Sequence, residues 1–315
     1  MADVRFDWNA QKRGATPLAF DDLKPQPPRA SLNPSRVEEF EAYSVEAFDR
    51  SKAAAASCRT VLDVTFGDDY YQKLDLYLPD EEALTGHEGG VPVILFCHGG
   101  GWNFGYKEWN GFMAPELIDL PAIFVSVSYR LAPEHKFPAA LEDVLSGLSW
   151  VYNNIAAYGG SPDRLFMGGW SAGGTLGALA TVRRDLYPDF DLPDDVIKGC
   201  VVTSTPFDHR VDNPAPGSTT ERLQRQLFTR PEHVEETSAM AYIEGLETPF
   251  FISHGENDFP HVMATSKLMH DALTAQGTPS EYHVFPIFDH YQNNLDQGRR
   301  GNKWVEAVRR MMTDN

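Results

Sequence analysis

From Val91 onward the chain alternates short apolar runs with longer stretches of helical periodicity, the sequence form of a mostly parallel sheet covered by helices on both faces. The runs VPVILFC, AIFVSVSY, RLFMGG, KGCVVTS, PFFISHG and SEYHVF are the expected strands. Helices are expected over about 138–158, 171–184, 260–276 and 301–313. Before this α/β region, RTVLDVTF and QKLDLYLP, separated by GDDY, read as a hairpin. In its second run Leu74, Leu76 and Leu78 alternate with Lys73, Asp75 and Tyr77, as a strand with one buried face requires. Residues 1 to about 57 are polar and proline-bearing, then turn helical through RVEEFEAYSVEAFDRSKAAAA, where Val37, Phe40, Tyr43, Val45 and Phe48 recur at helical intervals. The polar stretch about 205–246, between the strands ending near Thr203 and opening near Pro249, is longer than a simple crossover needs. The organisation expected is an N-terminal arm over 1–57, acting with the 205–246 insertion as a cap, and one α/β domain over 58–315.

Composition narrows the partners. The 315 residues are 42% hydrophobic and 23% charged, ordinary proportions for one large folded unit. A formal net charge of −18 argues against nucleic acid, whose binding draws on clustered Lys and Arg. No apolar stretch approaches the roughly 20 residues of a membrane span, and the first residues lack an apolar leader, so a cytoplasmic protein with no membrane partner is expected. Cys58, Cys97 and Cys200 are too few and scattered for a disulfide framework or a metal site; Cys97 and Cys200, in strand-like runs, are expected as buried free thiols.

The chemistry is carried by four segments. Gly169-Trp170-Ser171-Ala172-Gly173 follows an apolar strand and precedes the small-residue run TLGALATV, the context in which a serine is held on a sharp bend with its hydroxyl exposed. His98-Gly99-Gly100-Gly101-Trp102 follows the strand VILFC, and its glycines can turn backbone N–H groups into a site; Gly100, Gly101 and Ala172 are the expected oxyanion donors. His98 is read as a brace for that loop. A nucleophilic serine needs a base, and of His283 and His290 only the latter follows its strand in a loop, so His290 is assigned and His283 is left to the sheet. The acid must lie between serine and histidine in the chain. Asp258 stands farther into its loop than its rival Glu256, and Asp289 adjoins His290 too closely to orient its ring.

These motifs, with SYRLAPEHKFPAALEDV at 128–144 and GWSAGG at 169–174, make residues 58 to about 310 similar to the bacterial esterases that resemble hormone-sensitive lipase. The resemblance implies the α/β-hydrolase fold and a serine esterase, with Tyr129-Arg130-Leu131-Ala132-Pro133-Glu134 supporting the floor of the site. Trp170 stands where that family usually has aspartate, and GENDFPH replaces its Asp-Pro-Leu pattern. GENDFP and DHYQ are instead similar to kynurenine formamidase-like hydrolases, so an arylformamidase or amidase stays open beside the carboxylesterase. A non-catalytic small-molecule-binding protein, as among the gibberellin receptors, is the contrasting class; those lack the histidine that His290 supplies here. The substrate expected is a small-molecule ester or amide, cleaved through an acyl-enzyme with no metal or organic cofactor; a homodimer is left open. Trp102, Trp170, Phe259 and Tyr291, with Phe104 and Tyr106, are candidates for the wall of an apolar pocket, against the alternative that they pack the core. If Trp102 and Trp170 limit that pocket, short-acyl or compact aromatic esters are preferred.

Overall fold

A computed structural model describes residues 23–24, 34–210 and 219–314. The rest of the expected arm and residues 211–218 of the expected insertion lie outside the described residues, as does the side chain of Val37.

Eight strands form one sheet in the order β1-β2-β4-β3-β5-β6-β7-β8. They are β1 (Arg59–Thr65), β2 (Lys73–Leu78), β3 (Val91–Cys97), β4 (Ile123–Val127), β5 (Gly160–Trp170), β6 (Ile197–Thr203), β7 (Phe250–Gly255) and β8 (Ser280–Phe285). From β4 to β8 every pairing is parallel, while β2 runs antiparallel to both β1 and β4. The helices are α1 (Pro34–Ser57), α2 (Ala139–Asn154), α3 (Ala172–Val182), α4 (Thr219–Leu227), α5 (Pro260–Ala275), α6 (His290–Asp296) and α7 (Lys303–Asp314), with short helical turns between them. The α/β-hydrolase fold expected from the sequence is therefore the fold observed, with the strand runs and the four helical stretches in their expected places.

The period of two explains how the sheet is held. Along β3, Val93, Leu95 and Cys97 enter one apolar cluster with α2 and α3, while Ile94 and Phe96 enter a second with α1 and α7. Both faces are covered, so the strand reads as a continuous apolar run rather than an alternating one. Helix α3 is buried along its whole length. Its run AGGTLGALATV has only small side chains where it crosses β5, which lets the backbone lie close against the strand that feeds it. Cys97 and Cys200 are buried free thiols, pushed up by burial, Cys200 to about 12.

Two expectations change. β2 was read with one buried face, yet Asp75 and Tyr77 are as buried as Leu74, Leu76 and Leu78. The strand is internal, between β1 and β4, and its polar face is covered by the segment after the glycine loop, where Lys107 meets Asp75. Within α1, Phe40 and Tyr43 face the core as their spacing predicts, but Val45 is 61% exposed.

The order of strands reverses around β3, which lies between β4 and β5. Loops leaving neighbouring strands on the two sides of such a switch point diverge and open a crevice at the carboxyl edge of the sheet. The HGGGW loop leaves β3 there and Ser171 leaves β5.

Candidate active site

Ser171 is the residue between β5 and α3, with φ 55° and ψ −126°. A side chain in this left-handed region is strained, and the bend is held by Ser171 N donating to the Thr203 carbonyl and Thr175 N donating to that of Ser171. The hydroxyl is thereby turned away from the strand and toward His290, whose Nε2 lies 2.9 Å from Ser171 Oγ. On the other side of the ring, Nδ1 lies 2.7 Å from Asp258 Oδ1. A carboxylate only accepts, so the ring proton sits on Nδ1 and donates to Asp258, and the Nε2 lone pair accepts from the serine hydroxyl.

Asp258 is buried, and burial by itself would raise its pKa. The charge of His290 and the hydrogen bonds donated by His290, Ser204 and the Phe259 amide outweigh it and hold the carboxyl at about 2. Ser204 Oγ donates to Asp258 Oδ2 at 2.6 Å and accepts from Asn293 Nδ2, which also reaches Thr203 Oγ1. Ser204 and Asn293 were not singled out in the sequence; the signal available was their position, one past the end of β6 and three past His290.

The other candidates fall elsewhere. Glu256 Oε2 accepts from Ile287 N, and the imidazole's carboxylate partner is Asp258. Asp289 caps α6, accepting from the amides of Tyr291 and Gln292, while its own N donates to Gln292 Oε1. His283 lies in β8.

Gly100 and Gly101 both have positive φ, and a Cβ on Gly100 would lie 2.0 Å from the carbonyl oxygen of Phe104, so the turn excludes any side chain there. Among the described residues no acceptor takes the N–H groups of Gly100, Gly101 or Ala172. Ala172 opens α3, where such a donor has no partner within the helix. The indole of Trp102 donates from Nε1 to Ala172 O at 2.7 Å and so ties the glycine loop to the start of α3. His98 is fully buried, stacked on Tyr129 with ring centroids 4.3 Å apart, and burial pushes it down to about 4. Its carbonyl accepts from Tyr129 Oη, which fixes the root of the loop to the segment after β4.

The expected pocket residues divide. Phe259 is half-buried and stacks on His290 at 4.3 Å. Trp102 is nearly buried, its ring between Ala172 O and the side chains of His209 and Phe228 from the 205–246 stretch. Tyr291 packs on Phe40, Tyr43 and Trp170. Phe104 meets Phe40, and Tyr106 packs on Phe48 and Trp109. Trp170 does not fit a pocket wall: it is 1% exposed, its Nε1 donates to His290 O at 3.1 Å, and its ring fills the space a Cβ on Gly99 would need. It shares the core face of Phe166, four residues earlier on the same strand, and packs at a tilt against Tyr43 of α1.

A family model described as BD-FAE matches residues 74–273, a span that contains Ser171 and Asp258 and stops short of His290. Among curated proteins, the probable isoprenylcysteine alpha-carbonyl methylesterase ICMEL1 of Arabidopsis thaliana is 27% identical over 254 residues, 76% of this chain and 52% of that protein. Carboxylesterase NlhH of Mycobacterium tuberculosis is 43% identical over 98 residues, 30% of this chain and 31% of its own. The chain spans about half the length of the first of these relatives. Among solved structures, a Pyrobaculum calidifontis esterase superposes with a TM-score of 0.69 at 23% identity, covering 92% of this chain and 99% of that one, and so shares the fold.

Proposed function

The chain belongs to the BD-FAE family, and from that premise we propose that it is a serine hydrolase cleaving carboxylic esters of small acyl or aromatic acids, with Ser171, His290 and Asp258 as its catalytic triad. The observation that carries the reading is the unbroken line of hydrogen bonds from Asp258 through His290 to Ser171. The esterase names of the relatives support the ester as the bond cleaved.

In this reading Ser171 Oγ attacks the ester carbonyl as His290 Nε2 takes its proton, and Asp258 stabilises the imidazolium that forms. The carbonyl oxygen gains negative charge and moves onto the free N–H groups of Gly100, Gly101 and Ala172, donors fixed before the reaction begins. His290 then protonates the departing alcohol, and water repeats the sequence on the acyl-enzyme. The acyl group lies beside Trp102 and Phe259, whose rings flank Ala172 and His290.

The test is direct. Ser171→Ala should abolish turnover of p-nitrophenyl acetate while leaving the thermal transition in place, and an organophosphonate should label wild-type Ser171 stoichiometrically. Turnover retained by a folded alanine variant would remove the triad. Aryl formamides and anilides assayed beside the esters should be cleaved more slowly; the reverse order would make the chain an amidase on the same residues.

A further inference from the structure

Ile287 is a β-branched residue at φ 63°, in the left-handed region that such side chains avoid, and it is 75% exposed. Nothing about its own packing explains the conformation. Its backbone does: Ile287 N donates to Glu256 Oε2 at 3.0 Å, and Ile287 O accepts from Asn257 Nδ2 at 3.0 Å. Both polar groups of one strained residue are thus taken by the side chains of two consecutive residues, 31 and 30 positions earlier. Main-chain bonds continue the seam, from Glu256 N to Phe285 O and from Asn257 N to Phe288 O, each at 2.9 Å. Asp258 follows directly on one side of the seam and His290 two residues past Phe288 on the other.

We infer that Glu256 is a positioning residue: with Asn257 it clamps Ile287 in its left-handed conformation and so sets the approach of His290 to Asp258 and Ser171. The inference rests on the triad reading above. Without the Glu256 acceptor the Ile287 peptide relaxes toward an ordinary conformation, and the segment leading into α6 carries the imidazole with it. The clamp needs an acceptor oxygen and not a charge. It also needs the residue at 287 to be one that resists positive φ, since glycine adopts that conformation without help.

Four variants test this: Glu256→Gln, Glu256→Ala, Ile287→Gly and the double variant Glu256→Ala with Ile287→Gly. Glu256→Gln keeps an acceptor and should keep kcat. Glu256→Ala should lower kcat by about 10- to 100-fold with KM little changed, the scale expected when a reacting group is misplaced without losing its chemistry. Ile287→Gly alone should change kcat little, and added to Glu256→Ala it should restore most of what was lost, because the conformation no longer depends on the clamp. A second readout does not need turnover: the low-field NMR signal of the His290 Nδ1 proton shared with Asp258 should weaken in Glu256→Ala and return in the double variant. Glu256→Ala with unchanged kcat and unchanged proton signal, or a double variant no better than Glu256→Ala, overturns the clamp. A Ser171→Ala variant that still turns over substrate overturns the triad reading instead, and the proton signal then decides the clamp on its own.

Discussion

At the scale of single residues, the acid proposed for the triad is set apart from its neighbours by its environment rather than by its type. Asp258 and Glu256 are two positions apart, but only Asp258 is buried with three donors converging on it. Held at about 2, it stays ionised throughout the neutral pH range. Its contribution to stability is present above the pKa of an unfolded aspartate and is lost as pH falls through about 2. Asp258→Asn should therefore lower kcat by about 10³- to 10⁴-fold at neutral pH through the wrong imidazole tautomer, with KM nearly unchanged. Ser204→Ala removes one donor but leaves the carboxyl far below working pH; kcat should fall a few-fold while the pH profile of kcat/KM keeps its shape. If Ser204→Ala moves the acid limb of that profile, Asp258 is not the group described here.

At the scale of elements, Trp170 and α1 together make the rear support of the site. The indole of Trp170 lies between Gly99 of the glycine loop, the carbonyl of His290 and the ring of Tyr43, whose hydroxyl reaches Asn294 on α6. Trp170→Ala should cost about 3–5 kcal/mol of stability, as for other large buried aromatics. In whatever folds, the preference along an acyl chain-length series should match wild type. A shift of that profile toward longer chains would return Trp170 to the pocket. Trp102→Ala, at the other side of the nucleophile, is where such a shift should be found. The strands of the α/β region were legible because apolar runs are one-dimensional facts, and Ser171, Asp258 and His290, picked from motif and chain order, are side chains that the fold brings within hydrogen-bond reach. The period of two that puts Trp170 on the face of Phe166 was equally legible, and proximity to Ser171 in sequence obscured it. The burial of Asp75 and Tyr77 was not, because it depends on a segment beginning some 30 residues later folding across β2. Nor was the clamp on Ile287, which joins two loops through side chains that carry no motif.

At the scale of the whole molecule, two effects act against the fold as pH rises toward neutrality, opposed by the buried His98 and His209, which burial holds at about 4 and which favour folding over the same range; salt separates the two. The first is self-repulsion: a chain of net charge −18 at pH 7 gains negative charge throughout the acidic range, and ions screen that repulsion. The second is buried. Lys107 Nζ lies within 2.9 Å of Asp63 and Asp75 and bonds Glu108, so three carboxyls surround one ammonium, and Asp75 and Glu108 have almost no solvent to share the excess. Burial pushes Glu108 up, against the pull of Lys107 and with the push of Asp75, to about 7. A carboxyl raised in the folded state holds its proton where the unfolded chain has lost it, so between the unfolded value and about 7 stability declines as pH rises. The histidines act alike in wild type and in a Glu108 variant, so the difference between the two isolates Glu108: at about 0.5 M NaCl, which screens surface charge but hardly reaches buried groups, wild-type Tm should fall by a few degrees relative to Glu108→Gln from pH 5 to pH 7.5. Glu108→Gln removes that carboxyl's titration while leaving Asp63 and Asp75 to hold Lys107. Equal slopes for wild type and Glu108→Gln at high salt would show that Glu108 does not retain its proton in the folded chain.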